Sequence, residues 1–290
     1  MKKILLAIAS VVLACGIGFA AVGCGGGDEY AINVSGGGSS VGISGAANGT
    51  LDLGMASKEV DGAEEGVEVL QLCLDGIAVV VNNSNTAVTN LTKEQLLDIY
   101  TGDITNWSAV GGSNAAISVM HREDGSGTRD AFLELVGFDE ETMTLVGGAG
   151  THSSTSVMME AVAGDANAIG YISLGSLDST VKAVQVNGVE ATVANVLNNS
   201  YSLKRPFNVM YLESTVSSNA LLADFLKFLE SSQAQDIIEE DGYISTRSDA
   251  TAYTVPETKP DVLELNVGGS TSVQDLMVAL GEAYAELLNA

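Results

Sequence analysis

Histidine, cysteine and basic residues are all scarce in this chain of 290 residues, and each shortage removes a class of function. The two histidines, His121 and His152, have no second histidine or carboxylate at ligand spacing. No metal site is therefore expected, both rings read as structural or solvated, and no cofactor is called for. Of three cysteines, Cys15 and Cys24 fall in the N-terminal region and only Cys73 lies beyond it, in the apolar run Val69 to Leu74. A lone thiol in such a run reads as a buried hydrophobe and gives no disulfide or thiolate metal site. Twelve Lys and Arg face 37 Asp and Glu, a formal charge of −25, which makes nucleic acid an unfavourable partner.

What is present is a globular composition, 46% hydrophobic and 17% charged, long enough for two lobes with separate cores. Lys2-Lys3 and the apolar run Ile4 to Ala14 have the charged and hydrophobic regions of a secretory leader, too short for a membrane span. Ala21-Val-Gly-Cys24 resembles a bacterial lipobox, with Ala21 where Leu is usual, and Gly25 to Gly27 form a tether. Lipid on Cys24 would anchor the exported chain to the membrane. Cys15 is a poorer rival.

The stretch from His121 to Phe132 reads as an anion site in a strand-to-helix turn. Ala116 to Met120 is short, apolar and β-branched, and Ala131 to Val136 is helix-forming, so the intervening glycines fall at a helix N-terminus. There the first backbone N–H groups lack intrahelical partners and the helix dipole favours negative charge. Gly125 and Gly127 let the backbone approach a ligand, Ser126 and Thr128 add hydroxyls, and Arg122 or Arg129 supplies a planar charged fork. Ordinary helix capping uses the same residue types. The negative net charge opposes a small anion, so binding has to come from local hydrogen bonds, each worth roughly 1.5–3 kcal/mol when one partner is charged.

Three more polar turns precede helical patterns: Ser35 to Ser40 after the strand Tyr30 to Val34, Thr151 to Ser156 before Val157 to Val162, and Gly268 to Ser272 after the strand Val262 to Val267. Further strands are expected at Leu51 to Ala56, Val67 to Leu74, Gly76 to Val81, Ala168 to Ile172 and Val209 to Leu212. Helices are expected over 91–100, 221–229 and 234–239. Val273, Leu276, Met277, Leu280, Tyr284 and Leu287 form a helical stripe to the C-terminus. Trp107, Met158 and Met159 read as packing residues. Strands alternating with helices argue for an α/β fold with its ligand at strand C-terminal ends.

Arg122-Glu-Asp-Gly-Ser-Gly-Thr-Arg-Asp130 does not stand alone. With Leu51-Asp-Leu-Gly-Met-Ala-Ser57, Asp75-Gly-Ile-Ala-Val-Val-Val-Asn82, Ile99-Tyr-Thr-Gly-Asp-Ile-Thr-Asn-Trp107 and Ala168-Ile-Gly-Tyr171, it resembles the phosphate-binding lipoproteins of bacterial phosphate ABC transporters. The resemblance implies a type II periplasmic-binding-protein fold, two α/β lobes joined by two crossover strands with phosphate between them. It also implies delivery to ABC permease subunits, and no enzymatic chemistry. That family begins with a strand, a Gly-rich turn and a helix that are missing from the front of this chain. Leu265 to Val273 and the following helix match that unit, which indicates a circular permutation; a truncated tandem gene, with 262–290 opening a second copy, is the competing explanation.

The resemblance divides the chain into a leader (1–23), tether (24–30), first part of lobe I (31–81), lobe II (82–204), second part of lobe I (205–253), linker (254–261) and permuted strand-helix (262–290). Carried over position by position, the phosphate ligands are Thr271, Ser272, Ser39, Arg122, Ser126, Gly127 and Thr128. Some relatives place an Asp after the Ser57 position, to accept the proton of hydrogen phosphate; here Lys58 stands instead. Asp75 is the candidate replacement acceptor, with a turn or strand-end role as the alternative, and Ser57 and Lys58 are candidate pocket-wall residues. Other tetrahedral oxyanions such as sulfate or a phosphonate, a phosphate sensor without transport, and a phosphomonoester hydrolase using Ser126 or Thr128 are the rival functions.

Overall fold

The computed structural model describes residues 29–60 and 65–290. The leader, the lipobox, Cys24 and most of the tether lie outside the described residues.

In the first lobe β1 (Ala31–Ser35) leads through a glycine turn to α1 (Ser39–Ala47) and β2 (Leu53–Ala56), then into β3 (Val67–Val81). The second lobe carries β4 (Asn90–Leu91), α2 (Lys93–Thr101), β5 (Ser118–Arg122), α3 (Gly127–Val136), β6 (Gly150–His152) and α4 (Thr155–Gly164). It continues with β7 (Ala168–Ser173), β8 (Lys182–Ala183), β9 (Gln185–Val186) and α5 (Val193–Leu197). The chain returns along β10 (Lys204–Leu212) to α6 (Glu213–Ser218), α7 (Ala220–Leu229), α8 (Ser232–Glu240), β11 (Glu264–Gly269) and α9 (Gln274–Asn289).

The strands follow one continuous order, β1-β11-β2-β10-β3-β7-β5-β6, with β8 on the side of β3. The long strand β3 makes that continuity. Its first part, Val67 to Gly76, pairs antiparallel with β10, and its second part, Ile77 to Val81, pairs antiparallel with β7. The two apolar runs expected on either side of Asp75 are thus a single strand of 15 residues. A charged residue reads as a break only while its partner is unknown; Arg205 on β10 lies directly opposite Asp75 and satisfies it.

The C-terminal strand β11 sits inside the first lobe's sheet, parallel to β1 on one side and to β2 on the other. Its alternate residues Leu265 and Val267 are buried, and α9 covers them with Leu276, Met277, Leu280 and Tyr284, against Phe225 and Phe228 of α7. The apolar stripe of α9 ends on Leu288, which is buried, whereas Leu287 is exposed, a correction of one position at the last turn. Tyr284 donates to the buried Asp224 at 3.0 Å, which locks α9 to α7. The second lobe has its own core around Tyr100, Trp107, Phe132 and Tyr171, with the Phe132 and Tyr171 rings stacked at 4.1 Å. Trp107 and Met158 are buried, Met159 is half-buried, and Cys73 is a buried free thiol.

Candidate functional site

Five strand ends converge where the lobes meet: those of β1, β2 and β11 from the first lobe, and β5 and β6 from the second. Within each lobe these strands run parallel, which puts their C-terminal ends and the helix N-termini that follow on one edge. The two sets run opposite ways along the shared sheet, so the two edges face each other. Ser39, Ser57, Arg122, Ser126, Thr128, Thr155, Ser270 and Ser272 are all buried there.

Arg122 is the cation at the centre, only 2% exposed at the end of β5. Its backbone N–H donates to the Tyr171 hydroxyl at 3.1 Å, and its Nε donates to the His152 carbonyl at 3.0 Å. The guanidinium then reaches three side chains: Nη1 to Thr155 Oγ1 at 3.5 Å, Nη2 to Thr271 Oγ1 at 3.1 Å, and Nε with Nη2 to the two Glu123 carboxylate oxygens, each at 2.8 Å. Beside it Ser272 Oγ shares hydrogen bonds with Thr128 Oγ1 at 2.8 Å and Thr155 Oγ1 at 3.2 Å.

A second group of hydroxyls lies on the first-lobe wall. Ser270 donates to Ser57 Oγ at 2.8 Å, and the Ser57 N–H donates to Ser39 Oγ at 3.1 Å. Gly127, the first residue of α3, presses against this group: a Cβ there would stand 2.1 Å from Ser39 Oγ and 2.9 Å from Ser57 Oγ. Ser126 also acts as the N-cap of α3, its Oγ accepting from the Arg129 N–H, so the capping and site readings of this residue hold together. A cavity of 530 Å³ borders the cluster on the Arg122 side, where Thr155 and Thr271 form part of its lining.

Lys58 and Asp75 occupy different surroundings. Lys58 Nζ leaves the hydroxyl cluster and pairs across the cleft with Asp130 of α3 at 2.7 Å. Asp75 Oδ2 accepts from Arg205 Nε and Nη2 at 3.1 and 3.0 Å, and Oδ1 accepts from Ser173 at 2.9 Å. Burial pushes the Asp75 carboxyl up and the Arg205 guanidinium down from their ordinary values, the pairing opposing both shifts.

The structure therefore brings Thr271, Ser272, Ser39, Arg122, Ser126, Gly127, Thr128 and Ser57 to one place. Among the described residues Asp75 is linked to this group through Arg205, whose Nη1 donates to the Ser57 carbonyl at 3.1 Å. Thr155, Ser270, Glu123 and Arg205 were not singled out by sequence. Thr155 and Ser270 sat in polar turns already recognised as helix starts, which was a usable signal. Arg205 carries none, since a Lys-Arg step before a proline in a strand pattern has no distinguishing spacing.

The fold and the converging strand ends are those of a two-lobed binding protein. Residues 25–233 match the model of the PBP superfamily domain, and the chain belongs to that superfamily. It is 37% identical to a phosphate ABC transporter substrate-binding protein of Clostridium perfringens solved with bound phosphate, at a TM-score of 0.66 over 74% of this chain and 99% of that one. It is 38% identical to an ABC-type phosphate transport receptor of Vibrio cholerae, at a TM-score of 0.60 over 72% and 85% of the two chains. In sequence it is 41% identical over 177 residues to the phosphate-binding protein PstS 2 of Streptococcus pneumoniae serotype 4. That match spans 59% of this chain and 59% of the relative's length.

Proposed function

We propose that this protein is an extracytoplasmic receptor that captures inorganic phosphate between its lobes, hands it to an ABC permease and performs no chemistry on it. The observation that carries this reading is the buried Arg122 guanidinium, fixed among hydroxyls that both lobes supply. A planar fork with surrounding O–H and N–H donors suits a tetrahedral oxyanion, and exclusion of water strengthens every such bond. The named phosphate receptors among its relatives support the same ligand. Within this reading Thr271, Ser272, Ser39, Arg122, Ser126, Gly127 and Thr128 hold the ion, and lipid on Cys24 keeps the receptor at the membrane. The chain order is a circular permutation of the family's, with β11 and α9 supplying in cis the strand and helix of the first lobe that sit beside β1 and β2.

A receptor for another oxyanion, sulfate or a phosphonate, is the second reading. Lys58 favours it, because a hydroxyl can donate as readily as accept and only an acceptor such as a carboxylate discriminates against an unprotonated ion. Isothermal titration of the leaderless protein with phosphate, sulfate and methylphosphonate separates the two. Phosphate is expected to bind one to one and most tightly; binding of sulfate alone, or of none of the three, overturns the proposal.

A further inference from the structure

We infer that Arg205 and Asp75 are positioning residues for the anion site, acting from the strands that join the lobes; the inference rests on the receptor reading above. The pair lies directly across the β10–β3 ladder, one residue before β3 leaves β10 to pair with β7. It therefore occupies the junction about which the lobes would turn. Both side chains are 1% exposed.

Their bonds lead in two directions. Arg205 Nη1 donates to the carbonyl of Ser57, whose N–H and Oγ belong to the first-lobe hydroxyl group. Asp75 Oδ1 accepts from Ser173 on β7, in the second lobe. One buried ion pair thus ties the Ser57 wall of the site to the opposite lobe. A buried pair is weak evidence for stability, since hydrophobic replacements often serve as well, but it fixes geometry because each partner must meet the other. Neither residue forms a hydrogen bond with Arg122, Ser126, Thr128, Thr271 or Ser272, so the action is indirect.

The test compares Asp75→Asn, Arg205→Lys and Ser173→Ala with the parent, measuring phosphate and sulfate affinities by titration and folding by thermal melts. A positioning role predicts that Asp75→Asn weakens phosphate and sulfate by the same factor, roughly 10- to 100-fold, the loss of one charge-assisted hydrogen bond. Arg205→Lys retains the charge but cannot reach Asp75 and the Ser57 carbonyl as a fork, so it is expected to fall between the parent and Asp75→Asn. Ser173→Ala tests the link with the charge pair intact, and is expected to weaken both anions several-fold. A fall in melting temperature with both affinities unchanged in all three variants would mean a purely structural pair. Loss of phosphate affinity alone would make Asp75 a proton acceptor instead; either result overturns the inference. A parent that binds neither anion defeats the receptor reading itself, which is a separate outcome.

Discussion

Arg122 Nη2 donates to Thr271 Oγ1 at 3.1 Å across 149 positions of chain, and the contact joins the second lobe to the C-terminal unit. Thr271→Ala removes that acceptor and leaves β11 in place, so phosphate affinity should fall about tenfold with little change in melting temperature. Truncation after Asp261 is a different matter. It strips the partner from facing edges of β1 and β2 and exposes Leu53, Met55 and Phe225 of the core. No cooperative melt should remain, and circular dichroism with thermal scanning checks both variants.

The ends of the described chain abut. The Tyr30 N–H donates to Asn289 Oδ1 at 2.9 Å, and Asn289 Nδ2 donates to the Tyr30 carbonyl at 3.2 Å. A chain re-cut in the 254–261 linker, with Ala290 joined to Glu29 by a short Gly-Ser bridge, should fold to a monomer with parental phosphate affinity. Light scattering and titration test it. A re-cut chain that folds only as a dimer would show that the C-terminal unit serves a neighbouring molecule.

Much of this was legible in sequence because the decisive signals are local. Glycine and hydroxyl turns before apolar helical stripes marked the α1, α3, α4 and α9 starts, and each helix begins within one or two residues of its turn. What sequence could not carry was pairing at a distance. Asp75 read as a strand break or a proton acceptor because its partner lies 130 positions away. Lys58 read as a pocket wall because nothing local tells that Asp130 draws it to the far lobe.

Lys58 and Asp130 are each about a third exposed, so their bond should contribute little to folding, yet it spans the cleft beside the site. Lys58→Gln or Asp130→Asn alone should weaken phosphate binding several-fold at low ionic strength, and high salt should narrow the difference. The double substitution should cost no more than either single one. Titrations at two salt concentrations check this, and a much larger loss for Lys58→Gln than for Asp130→Asn would point to direct contact between Lys58 and the anion.

His152 gives a pH signature. Burial, with His121 and Arg122 nearby, lowers its pKa below the ordinary histidine value of 6.5. The unfolded chain then binds the proton more readily, so His152 contributes stability that is present above 6.5 and lost as pH falls through the lowered value. Melting temperature should therefore decline from about pH 7 to about pH 5, and His152→Gln should flatten part of that decline. Because the His152 carbonyl rather than its ring holds Arg122, phosphate affinity at neutral pH should survive the substitution.

Gly127 offers the sharpest steric test of how the lobes meet. It opens α3 in the second lobe, and a Cβ there would overlap Ser39 of the first lobe at both Oγ, 2.1 Å away, and Cβ, 2.9 Å away. Rotating Ser39 cannot clear both atoms, and its Oγ is already held by the Ser57 N–H. Within its own lobe the alanine should do no harm, since Ala is favoured over Gly in a helix by roughly 0.5–1 kcal/mol. Gly127→Ala should thus leave the melting temperature near parental while phosphate affinity falls about a hundredfold, the cost of holding the lobes apart. Ser39→Gly deletes two of the three obstructing atoms and leaves Ser57 Oγ at 2.9 Å, the end of a side chain that can turn aside. In that background Gly127→Ala should cost little further affinity, so the two substitutions should be strongly non-additive in titration. Additive losses would mean that Gly127 acts through its own backbone at the ligand and that the lobes do not meet at Ser39.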